Sequence, residues 1–220
     1  MKPTSLSPEF YENLYNQIIN YGFEPETEDD CHCNMEFEDV NGLYVNLEAT
    51  FEVNFVDDSF DHAFGTEYDY TATMVYAMPS IGGRFVCCRA GKVGDRWHLT
   101  DVCCREVKGN DEIVSSVMGM SADRYVVECP QAYFPMVRDL RTSLGNVDVV
   151  RMGSDIRNRI AATSDWIRAH VHIDPELLDD AEYGRFVNDV LDYNETSPAD
   201  VAGAGAVLSG LARVIIRNGL

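Results

Sequence analysis

Between Leu43 and Phe55 apolar and polar residues alternate almost without a break. Leu43, Val45, Leu47, Ala49, Phe51, Val53 and Phe55 fall on one side of an extended chain. Tyr44, Asn46, Glu48, Thr50, Glu52 and Asn54 fall on the other. A period of two over that length predicts a long strand with one buried face. Just upstream, Met35 and Phe37 alternate with Glu36 and Glu38, and Asn41-Gly42 supplies a hairpin-turn pair. A third strand is predicted over 67–78. There Tyr68, Tyr70, Ala72, Met74, Tyr76 and Met78 share one face, and Glu67, Asp69, Thr71 and Thr73 the other. Two more follow over 84–89 and 96–103, joined through Gly91 to Asp95. The connections are too short for parallel crossovers. The expectation is therefore an α+β fold: an antiparallel β-meander of about five strands, with an N-terminal helix and C-terminal helices packed on one face.

The helices announce themselves by caps and by 3.6-residue stripes. Ser7-Pro8-Glu9 opens the first, with Phe10, Leu14 and Ile18 as its stripe and Gly22 to end it. A short helix over 111–118 and a strand over 124–128 come next, and Pro130 and Pro135 then break the chain. Ser154 caps a helix striped by Ile156, Ile160, Thr163 and Ile167. Asp174-Pro175-Glu176 opens another that runs to about Asn194. Ser197-Pro198-Ala199-Asp200 opens the last, over 201–216, striped by Val201, Ala204, Leu208, Leu211 and Ile215. In domain terms, 1–110 reads as helix plus antiparallel sheet. Residues 111–220 read as a mainly helical region, either separate or part of the same domain.

Composition adds little to this picture: 45% hydrophobic and 25% charged residues in 220 are ordinary globular values. Neither a signal peptide nor a membrane span is visible, which makes the cytoplasm the expected compartment. The seven cysteines are odd in number and fit reduced thiols.

Charge changes the picture more. The net charge is −20, and up to Gly83 seventeen acids face Lys2 alone, so −16 of it lies in that stretch. Such a surface repels a phosphate backbone. The leading expectation is a non-catalytic, acidic protein-interaction module for a basic protein, or a mimic of nucleic acid. Its interaction face would carry Glu36, Glu38, Glu48, Glu52, Glu67 and Asp69. The expected partner is a protein rather than nucleic acid or membrane, with a second copy as a further candidate through the 201–216 helix. No cofactor goes with that reading.

One segment offers chemistry, and a divalent metal with it. Asp57, Asp58, Asp61, His62 and Glu67 crowd oxygen and imidazole donors into eleven residues, the kind of set a hard cation takes. This supports a metal-dependent hydrolase as the alternative, with a structural or assembly subunit as a third class. The segment fails the EF-hand template, with His62 where a glycine is needed and Tyr68 where a glutamate is. Cys31-His32-Cys33 and the doublets Cys87/Cys88 and Cys103/Cys104 lack zinc spacing, since adjacent strand residues face opposite sides. His98 and Cys104 lie about 20 Å apart along a strand, too far for a local catalytic pair. His170 and His172 do not share a helical face and read as residues of a helix end.

Overall fold

The computed structural model describes residues 35–38, 42–45, 53–57, 60–61, 68–81, 84–130, 133–151, 156–194 and 202–220. The chain divides into two compact units, residues 1–48 with 194–196, and residues 49–193 with 197–220. In the first unit β1 (Met35–Glu38) pairs antiparallel with β2 (Gly42–Val45), Met35 opposite Val45 and Phe37 opposite Leu43, as the alternation predicts. The N-terminal helix expected from Ser7 lies outside the described residues.

The second unit is built on a seven-stranded sheet of order β3-β9-β6-β5-β4-β7-β8. Its strands are β3 (Asn54–Phe55), β4 (Ala72–Ile81), β5 (Arg84–Val93), β6 (Arg96–Glu106), β7 (Arg124–Cys129), β8 (Val147–Arg151) and β9 (Val171–Ile173). Among the described residues five α-helices with defined bounds accompany it: α1 (Asn110–Gly119), α2 (Phe134–Leu144), α3 (Ile156–His170), α4 (Ala181–Leu191) and α5 (Ala202–Asn218). Only β4-β5-β6 form the expected antiparallel meander. The pairings β4·β7, β7·β8, β6·β9 and β3·β9 are all parallel. The expected simple meander is thus replaced by a mixed, mostly parallel sheet. The physical reason is that α1, α2 and α3 serve as crossovers, each delivering the chain to another strand.

Three local expectations change with it. The alternating run from Leu43 is divided between two sheets, since Gly42–Val45 belongs to the β1·β2 pair and Asn54–Phe55 to the large sheet; Phe55 is exposed. Pro135 sits in the first turn of α2, where no backbone N–H is needed, and so starts a helix instead of breaking the chain. The helix expected from Asp174 is a short 3-10 turn, Pro175–Asp179. Asp180 then caps α4 through hydrogen bonds from the N–H groups of Glu182 and Tyr183.

Helices cover both faces of the sheet, not one. Val75, Ala77, Phe85, Cys87, Cys103, Tyr125 and Val127 pack against α1 and α2. Met74, Tyr76, Met78, Cys88, Trp97, Leu99, Cys104 and Val126 pack against α3, α4 and α5. The cysteine doublets split between the faces as strand geometry requires, and all five described cysteines are free and buried. Burial raises the Cys104 thiol to about 11, so it stays protonated near neutrality. Each fully buried aromatic such as Trp97 or Phe186 contributes roughly 1.5–3 kcal/mol. No helix among the described residues is long and apolar enough to cross a membrane.

Helix α5 comes so close to β4 that a Cβ at Gly210 would land on the Tyr76 ring. That ring cannot retreat, because its hydroxyl is bound to Glu128. Gly210→Ala gains up to about 1 kcal/mol of helix propensity but overpacks a fixed contact, at about 1–3 kcal/mol. The net expectation is a lower urea midpoint with an unchanged m-value.

Candidate functional site

Two polar clusters interrupt this apolar architecture. The first lies at the centre of the sheet. The chain runs from β4 one way to β5 and β6, then returns to place β7 on the other side of β4. The strand order therefore reverses between β4 and β7, and open α/β sheets bind ligands in the crevice beyond the carboxyl ends of the strands at such a point. Glu128 stands there, near the end of β7, with no exposed surface. Nη1 of Arg159, on α3, donates to Oε1 at 2.8 Å and to Oε2 at 2.6 Å. The Tyr76 hydroxyl donates to Oε2 at 2.5 Å. Arg159 also donates from Nε to Ser209 Oγ at 3.0 Å and from Nη2 to the Ala206 carbonyl at 2.8 Å, both on α5. Burial and the Glu128 carboxylate both push the Tyr76 phenol up, so it remains a donor.

Neither Glu128 nor Arg159 was singled out by sequence reasoning, yet both left a signal. Glu128 interrupts an apolar run, Tyr125-Val126-Val127, in a strand covered on both faces. Arg159 falls on the Ile156, Ile160, Thr163, Ile167 stripe of α3.

The second cluster lies where β6 meets β9. His98 and His172 are register partners on adjacent parallel strands, and both are buried. Phe60, Tyr68 and Tyr70 supply the cover. The Phe60 ring centre is 4.6 Å from that of His172, and the Tyr68 ring meets His98 edge-on at 5.2 Å. Tyr70 lies against Gly91, the residue opposite His98, where any side chain would displace its ring. The Tyr70 hydroxyl is 2.8 Å from His98 Nδ1, and Asp174 Oδ2 is 3.5 Å from Nε2.

His172 differs from its neighbour. Neither of its ring nitrogens has a hydrogen-bond partner of normal geometry. The residue lines an open cleft of about 510 Å³ with Asn54, Phe55, Asp57 and Arg96. Burial lowers its pKa, against the upward pull of the Phe55 carbonyl and of Asp57, with Arg96 and His98 lowering it further. Burial also lowers the pKa of His98, against the pull of Asp174. Both imidazoles are thus held neutral near pH 7.

That has a consequence for the metal-free protein. A base whose pKa is lower folded than unfolded adds no penalty while it is neutral in both states. As pH falls below the unfolded value of about 6.5 the unfolded chain binds protons first, and stability drops until the folded pKa is passed. Urea unfolding repeated from pH 8 down to pH 5 should show that decline, reduced in His172→Gln.

Of the sequence-expected metal residues, the structure brings Asp57 and Asp61 to this edge. Asp57 accepts from the Phe60 N–H at 3.0 Å, and Asp61 accepts from the Tyr68 hydroxyl. Asp58, His62 and Glu67 lie outside the described residues. His170 ends α3, stacked on Trp166, as expected of a helix-terminal histidine. His172 does not belong to that helix end; it is a strand residue.

No family model matches the chain, and no curated protein does. Solved structures do. The Mn-soaked human cytomegalovirus terminase nuclease domain superposes with a TM-score of 0.50 at 12% identity, over 73% of this chain and 95% of that one. The large terminase of a thermophilic bacteriophage gives 0.51 at 13% identity, over 80% of this chain and 47% of that one. At such identities the likeness shows the fold alone.

The expected non-catalytic acidic interaction module is overturned by that fold. Nor does one sheet carry its face: Glu36 and Glu38 are on β1, Asp69 precedes β4 of the other sheet, and Glu48, Glu52 and Glu67 lie outside the described residues.

A divalent metal is the cofactor the likeness brings in, and the two clusters answer it differently. At Glu128 the donors do not fit. Among the described residues one carboxylate is already matched by a guanidinium, and beside it stand a phenol and the Met78 thioether, neither of them suited to a hard cation. At the edge His172 and Asp57 line one cleft, and imidazole and carboxylate are donor types that suit Mn²⁺ or Zn²⁺. Among the described residues no three His, Cys, Asp or Glu side chains converge to hold a metal by themselves.

Proposed function

We propose that the chain is a metal-dependent hydrolase of nucleic-acid phosphodiester bonds, with its site in the cleft at the β3-β9-β6 edge. The observation that carries this reading is His172: buried, neutral, with no hydrogen bond of normal geometry to either ring nitrogen, and lining a cleft with Asp57. The fold shared with terminase nuclease domains supports the reaction class.

His172 and Asp57 would hold the ion, with water or substrate completing its shell as is usual for such cations. When bound, the ion supplies an activated water and polarises a phosphoryl oxygen. The remaining work falls to the chain. Arg96, whose guanidinium lies 5.9 Å above the Phe60 ring, lines the same cleft and offers phosphate a fork of donors. Tyr70 holds the His98 ring, and with it the strand beside the one that carries His172. The acidic charge before residue 70 works against nucleic acid approaching without a cation, so binding and cleavage should both depend on divalent ions.

The test is incubation of the protein with linear and supercoiled DNA and with RNA, in Mn²⁺, Mg²⁺ or Zn²⁺ and in EDTA. Cleavage that requires a divalent ion and stops in EDTA is expected. A folded protein that cuts none of these substrates with any of the ions would remove the reading.

A further inference from the structure

We infer that Arg159 is an internal cation standing in the place of a metal ion, so that the crevice between β4 and β7 binds no divalent ion. Topology makes this crevice the first place to look for a ligand, since the strand order reverses there and a carboxylate sits near the end of β7. A buried carboxylate must be compensated, by a metal or by a charged partner with good hydrogen bonds. Here the compensation is complete from within the chain. Both oxygens of Glu128 accept from Arg159, and Oε2 accepts from Tyr76 as well.

The guanidinium is itself held from the other side. The Ser209 hydroxyl accepts from Nε and the Ala206 carbonyl from Nη2, so α5 fixes the position of the fork. Arg159 and Glu128 are both buried, at 7% and 0% exposure. An incoming ion would have to displace a guanidinium anchored on three elements. Among the described residues it would then meet one carboxylate, a phenol, a thioether, the Ser209 hydroxyl and the Ala206 carbonyl, with no group of three His, Cys, Asp or Glu side chains to hold it. The geometry therefore assigns to Arg159 the charge that a metal would otherwise bring. This inference stands on the Glu128 crevice and does not depend on what happens at His172.

Met78 gives a local probe, because its sulfur is 3.7 Å from Arg159 Nη2. The protein is labelled with ¹³C at the methionine methyl groups, and the Met78 signal is identified by its loss in Met78→Leu. Excess Mn²⁺, a paramagnet, is expected to leave the native Met78 signal sharp. Broadening of that signal at stoichiometric Mn²⁺ would overturn the inference. In Arg159→Ala the same addition is expected to broaden it, since the carboxylate then lacks its cation. A folded Arg159→Ala protein whose Met78 signal stays sharp in excess Mn²⁺ would show that the guanidinium was not standing in for an ion, and would also overturn the inference. Arg159→Gln, which keeps a hydrogen-bond donor for Glu128, gives the same reading should the alanine variant fail to fold.

Discussion

Arg159→Ala should lower the unfolding free energy by about 3–5 kcal/mol, the range for removing one partner of a buried ion pair. The loss is large because three consequences coincide. Glu128 is left buried without its guanidinium, Ser209 and Ala206 lose their donor, and a cavity opens between α3 and α5. Glu128→Gln should cost less than Arg159→Ala, since the amide still accepts from Tyr76 while the guanidinium loses its anion. The double variant Glu128→Gln, Arg159→Met should recover most of the loss, because replacing both members of a buried pair is often close to neutral. Urea titrations of the two single variants and the double variant check all three expectations. A double variant no more stable than Arg159→Ala would mean that the ion pair is not the source of the cost.

His172→Ala should reduce metal-dependent cleavage by on the order of 100-fold or more, at or above the upper end of what losing even an indirect partner does to a metal site. The mechanism predicts how the loss is distributed. The Mn²⁺ concentration needed for half-maximal activity should rise, and higher Mn²⁺ should restore part of the rate. A side chain that merely packs under Phe60 would lower stability without moving the metal dependence. The urea midpoint of the same variant therefore separates the two roles. Arg96→Ala, on the same cleft, should weaken substrate binding and leave the metal requirement where it is.

Much of the second unit can be read directly from residue order. Strands β5 and β6 follow from the short Gly91–Asp95 connection, and α3 and α5 from stripes and caps. The parallel strands are hard to see for a physical reason. Val147–Arg151 is five residues and Val171–Ile173 three, too short for a period to show, and each follows a helix that masks it. Val171-His172-Ile173 resembles a helix end because His170 does end one. The candidate site is half legible. Asp57 and Asp61 stand out as clustered acids, but nothing local ties them to His172. That link is made by the parallel pairing of β3 with β9, across more than a hundred residues of chain. The Glu128–Arg159 pair is also long-range, and its meaning comes from the reversal of strand order at β4 and β7.

Crystals soaked in Mn²⁺ and measured at the manganese absorption edge test the account most directly. An anomalous peak beside the His172 ring and Asp57, with Arg159 still on Glu128, is the result it predicts. A peak beside Glu128, with the Arg159 side chain turned away, would contradict it.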